Sequence, residues 1–152
     1  MATPYTDVYD LFMQQIKDYS LVDLYNLSDT DFETYLQGFL VLAIGEFVHN
    51  CTQDLTDRDD ANGTFSFDLD EENQIILSKY MVKFWLAKEV KDVLQMNLNL
   101  TDRDFKHYSE AQNLKSKQDF LIMLTEECSQ MLVDYQFRKV DWSSWASGEF
   151  GV

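Results

Sequence analysis

A chain that doubles back every ten residues or so needs glycine and proline at its turns, and this one has five glycines and a single proline, Pro4, in 152 residues. That scarcity argues against a many-stranded all-β fold and makes helix the expected building material. With 45% apolar and 14% aromatic side chains, a domain of this length can build a real core.

Hydrophobic spacing agrees with helix along most of the chain. Residues 6–19 place Val8, Leu11, Phe12, Ile16 and Tyr19 on one helical face, and 20–26 read as one loose turn of helix leading onward. A helix over about 29–51 carries a broad apolar face from Phe32 to Cys51. After a polar loop, a third helix is predicted over about 71–96 behind a cap at Asp70, and a fourth over 102–138 whose first half, 109–118, is almost wholly polar.

The second and fourth helices share a start signal. Asn26-Leu-Ser-Asp-Thr-Asp-Phe-Glu-Thr-Tyr35 recurs seventy-three positions later as Asn99-Leu-Thr-Asp-Arg-Asp-Phe-Lys-His-Tyr108, with six identities. In the first copy Ser28 is the N-cap, Asp31 completes a capping box, and Leu27 is placed to staple onto Phe32. In the second copy Thr101 caps, Asp104 completes the box, and Leu100 faces Phe105. Convergence on a good helix start explains the twin segments more simply than duplication does.

The expected architecture is therefore all-α: a bundle of about four main helices over 1–139, an extended acidic loop over 52–70 with a possible short strand, and an extended aromatic C-terminal tail over 140–152. In the loop Phe65, Phe67 and Leu69 alternate with polar residues, as an extended arm or edge strand would.

Charge narrows the function classes. A formal charge of −15, from 27 acidic and 12 basic side chains, repels nucleic acid and anionic bilayers, so sequence-specific nucleic-acid binding is not expected. The longest apolar stretch, 39–48, is broken by Gly45 and Glu46, and no leader pattern opens the chain, so neither membrane association nor secretion is expected. Cys51 and Cys128 read as buried free thiols on apolar helical faces.

Chemistry-bearing patterns are weak. Asp57 and Asp59 start an EF-hand-like run, but Ala61 replaces a ligand, Gly63 comes one place late, and Asp68 stands where a bidentate glutamate belongs. His49 and His107 lack metal-ligand neighbours, and no nucleophile turn or phosphate loop occurs. The reading is a non-enzyme with no catalytic residue, metal or cofactor. Trp142, Trp145 and Phe150, set among serines and glycines, read either as an anchor for a partner's pocket or as a cover folded back on the bundle.

The run 98–115, Leu-Asn-Leu-Thr-Asp-Arg-Asp-Phe-Lys-His-Tyr-Ser-Glu-Ala-Gln-Asn-Leu-Lys, resembles a segment of small structural proteins of tailed bacteriophages. The stretch 68–77, Asp-Leu-Asp-Glu-Glu-Asn-Gln-Ile-Ile-Leu, is similar to one as well. Size, helicity and acidity are like those of head-to-tail connector adaptors in the neck. The resemblance implies a virion protein, made in the host cytoplasm, that forms a ring, twelvefold by expectation, beneath the portal. Its partners would be the portal and neighbouring neck or tail proteins, with acidic side chains facing the DNA passage. The tail would be the docking arm, and the loop with Phe65 and Phe67 a second contact. A tail or baseplate position fits the same features, and the rival from another class is an acidic DNA mimic that inhibits a host nucleic-acid-binding protein.

Overall fold

The structure, a computed structural model, describes residues 2–99 and 107–146. In chain order they form α1 (Tyr5–Gln15), α2 (Tyr19–Leu27), α3 (Asp29–Phe47), a two-stranded hairpin of β1 (Arg58–Asp59) and β2 (Thr64–Phe65), then α4 (Glu71–Asn99), α5 (His107–Lys139) and α6 (Trp142–Ala146). The fold is an all-α bundle with one small hairpin. Helix α4 packs against α1, α3 and α5, and α2 lies on α3.

The core follows from the helical stripes. Leu36, Leu40, Ala43 and Phe47 of α3 meet Leu77, Tyr80 and Met81 of α4, while Val8 and Phe12 of α1 and Leu124, Cys128 and Tyr135 of α5 close it from other sides. Each fully buried large apolar side chain contributes about 1.5–3 kcal/mol relative to exposure.

Several boundaries depart from the spacing. The helix expected over 6–19 stops at Gln15, because Ile16 takes an extended backbone (φ −122°, ψ 156°) and turns its side chain onto the core. The single loose turn of helix expected over 20–26 is longer and regular, the nine-residue α2. Helix α3 ends at Phe47 rather than Cys51, since the next residues are claimed by α5: Gln136 donates to Asn50 Oδ1 at 2.6 Å, and the Tyr135 hydroxyl bonds both the backbone N–H and the hydroxyl of Thr52 at 3.0 and 2.8 Å. Cys51 consequently lies past the helix and is only partly buried.

The cap at the first twin segment forms, with Ser28 Oγ accepting the Asp31 N–H at 3.2 Å. The reciprocal half of the box does not form, because Ser28 N–H is taken by the Leu24 carbonyl, a continuation of α2. The staple differs too. Leu27 is 84% exposed, and Tyr25 instead packs edge-on against Phe32 with ring centroids 5.3 Å apart. An incoming helix places Tyr25, two residues earlier, over the site that an extended entry would have given Leu27. Thr101 and Asp104, the second cap and box, lie outside the described residues.

Candidate functional site

The acidic loop is neither an arm nor solvated throughout. Arg58 pairs with Phe65 and Asp59 with Thr64 in the antiparallel hairpin. Its turn needs a left-handed residue, supplied by Gly63 at φ +63°. The Asn62 side chain, then the N–H groups of Asn62 and Ala61, donate to the Asp59 carboxyl and hold it below the usual carboxylate range. Asp59 of the EF-hand-like run is thus occupied in turn geometry, and no group of three potential metal ligands occurs among the described residues.

The hairpin is strapped to the start of α1. Thr3 N–H donates to the Phe67 carbonyl at 3.0 Å, Phe65 N–H to the Thr3 carbonyl at 2.8 Å, and Tyr5 N–H to the Gly63 carbonyl at 2.8 Å. The Thr3 hydroxyl accepts the Leu69 N–H at 2.8 Å. Leu55, Phe65 and Leu69 are buried beneath, and Phe65 meets Tyr5 edge-on at 5.0 Å. This corrects the docking role expected for Phe65, whose side chain has no exposed surface to offer. Phe67 is half-buried beside it, 6.0 Å away.

Between this junction and α3 lies a cavity of about 280 Å³, lined by Tyr5, Tyr9, Glu33, Gln37 and Asp60 among others. The Tyr5 hydroxyl donates to Asp60 Oδ1 at 2.6 Å, and Arg58 donates to the same oxygen at 3.0 Å. The Tyr5 hydroxyl, then Arg58, hold the Asp60 carboxyl below its ordinary value. Burial pushes both tyrosines well above theirs, so they stay neutral phenols. The cavity offers hydrogen-bonding groups, the hydroxyls of Thr6, Thr30 and Thr34 and the carboxyls of Glu33 and Asp60 among them. Elsewhere, burial raises the Cys128 thiol to about 11, which makes it unreactive at neutral pH.

The tail begins differently from the extended chain expected. Asp141 Oδ1 accepts the Ser143 N–H and caps the short helix α6. Trp142 folds back on the end of α5: its ring stacks on Phe137 at 5.9 Å and 12°, and its Nε1–H donates to the Phe137 carbonyl at 3.2 Å. It remains 51% exposed. Trp145 belongs to α6 by its backbone, and Phe150 lies outside the described residues.

Two exposed apolar patches, on α5 and α3, are ones the spacing did not bring out. On α5, Phe120, Ile122, Met123, Val133 and Phe137 are each 43–60% exposed, on the side away from Leu124, Cys128 and Tyr135, save Phe120 at the margin. On α3, Val41 and Leu42 are exposed between Gly38 and Gly45, where an added Cβ would meet nothing within 4 Å. Reading each helix for its single best stripe hides a second one. The signal that finds it is that Met123, Val133 and Phe137 fall on the side of α5 opposite Leu124, Cys128 and Tyr135.

Among the described residues no helix is long and apolar enough to cross a membrane. Comparison with protein-family models, with curated proteins and with solved structures found no match.

Proposed function

We propose that the chain is a non-enzymatic assembly subunit, a head-to-tail connector of a tailed bacteriophage that forms a ring and docks to the portal. The observation that supports this best is the exposed, uncharged apolar face on α3, a helix that flanks α4. A closed ring joins one patch of each subunit to a different patch of the next, and the α3 face supplies one of the two. The α3 face carries Gly38, Val41, Leu42 and Gly45 without a charge, and Glu46 beside it is paired to Lys83 at 2.6 Å. A neighbour can therefore approach there despite the net charge of −15. The same charge suits the wall of a DNA passage.

The test is the shape and mass of the purified protein, alone and mixed with a portal ring, by negative-stain microscopy and light scattering. Rings, or a retained complex with the portal, are expected. A monomer in both conditions overturns the reading, and a salt-sensitive monomeric complex with a basic host enzyme would favour the DNA-mimic alternative instead.

A further inference from the structure

Helix α5 has two working sides. Leu124, Cys128 and Tyr135 bury the inner one. The outer one repeats at alternating steps of four and three residues, Asp119, Met123, Glu126, Gln130, Val133 and Phe137, all of them exposed. Three of the six, Met123, Val133 and Phe137, are apolar, an exposed stripe against which an amphipathic helix can lie. Ile122, 60% exposed, widens it, and Trp142 extends it past Phe137. From Asp119 to Phe137 it spans about 27 Å, some five turns of helix.

Charge says what kind of helix fits. Between Asp119 and Phe137 there are four carboxylates and no lysine, arginine or histidine. Glu127 at the margin is paired to Lys79 at 2.9 Å, and Asp134 accepts the Gln130 amide at 2.8 Å. Asp119 and Glu126 are in no ion pair among the described residues, and Glu126 sits at the middle of the stripe. Covering that carboxylate with an apolar or acidic surface would strand a charge, which costs more than the contact returns. A second copy of α5 would bring carboxylate against carboxylate. Among the described residues Arg58, Lys79, Lys83, Lys88, Lys117, Arg138 and Lys139 sit in ion pairs with this chain's own carboxylates.

We propose that the outer face of α5 docks a helix from a different protein, one with apolar residues at three-and-four spacing edged by lysine or arginine. Met123, Val133 and Phe137 are its apolar contacts, and Glu126 is the acceptor that fixes register. The proposal rests on the assembly reading only for the kind of partner, a structural neighbour.

The probe is a labelled helical peptide of about 20 residues with leucines at three-and-four spacing and lysines at the flanks, with a control of identical composition whose leucines are off that spacing. Both are titrated into the full chain by fluorescence anisotropy at about 150 mM salt, where loose attraction between exposed charges is screened. The patterned peptide is expected to bind at least about tenfold more tightly than the control, and Glu126→Lys and the double variant Met123→Ser/Phe137→Ser should each weaken it about tenfold. Circular dichroism melting confirms that the variants stay folded. Equal binding of the two peptides, or unchanged binding by the folded variants, overturns the proposal. So does sedimentation showing a wild-type dimer that Met123→Ser/Phe137→Ser abolishes, because the face then belongs to a second copy. Rings without peptide discrimination sink this docking site alone; peptide discrimination by a protein that never forms rings sinks the connector reading alone.

Discussion

Replacing Phe65 by alanine separates a core residue from a docking residue. In the structure Phe65 has no exposed surface, meets Tyr5 edge-on at 5.0 Å, and sits above Leu55 and Leu69 where the hairpin is strapped to Thr3. Truncating so buried a phenylalanine costs about 3–5 kcal/mol in lost transfer and cavity, a figure that includes the edge-on ring contact, itself about 0.5–1.5 kcal/mol. For a chain of this size each kcal/mol moves the midpoint by about 2–4 °C, so the Phe65→Ala melt should fall by about 6–20 °C. Phe65→Leu keeps most of the volume and should cost about 1 kcal/mol. The assay is thermal and urea unfolding followed by circular dichroism. If Phe65→Ala melts within about 2 °C of the parent, the hairpin is not part of the cooperative core and the account of the strap is wrong.

Tyr135→Phe leaves the Thr52 N–H without its 3.0 Å partner, and urea unfolding should show a loss of about 1–2 kcal/mol; an unchanged midpoint would mean that α5 does not hold the end of α3. Gly38→Ala and Gly45→Ala, with open space at each Cβ, should each raise stability by about 0.5–1 kcal/mol while reducing ring formation, and rings unaffected by both would remove the α3 face from the subunit contact. Ellman's reagent on the native protein should modify Cys51 slowly and leave Cys128, 1% exposed, until denaturant is added; two rapidly reacting thiols would contradict the packing. Because the Asp60 carboxyl is held below its unfolded value, its contribution is present above about pH 4 and is lost as pH falls through the folded value. Urea midpoints measured down the acid limb should therefore drop less steeply in Asp60→Asn than in the parent, and identical slopes would refute the Tyr5–Asp60 link.

What the residues disclosed in advance was local. The Ser28 cap needs only its own next three residues, and the long stripes of α3 and α4 need only helical period. What stayed hidden depended on chain far away. Phe65 reads as an arm until Thr3 is known to pair with it, and alternation over so few residues carries no mark of that pairing. Leu27 looked like a staple because the chain before a helix is usually extended; α2 enters as a helix and gives the place to Tyr25. On α5 the inner stripe of Leu124, Cys128 and Tyr135 is legible, whereas Phe120 at its margin is 45% exposed, and the outer stripe competes with it on the same helix. A helix with apolar residues on two sides has no single hydrophobic direction for a pattern to report.

The strap also sets an order in time. Thr3 bonds Leu69 across 66 positions, so the ribosome makes one half of this junction long before the other. Helix α1 can coil as soon as it emerges, yet Tyr5 and Phe12 have no lasting cover until the hairpin and the start of α4 follow. Closing a loop of that length costs chain entropy that grows only with the logarithm of its length, so the penalty lies in waiting more than in free energy. A nascent chain stalled before residue 69 would present the apolar side of α1 to whatever binds exposed helices first.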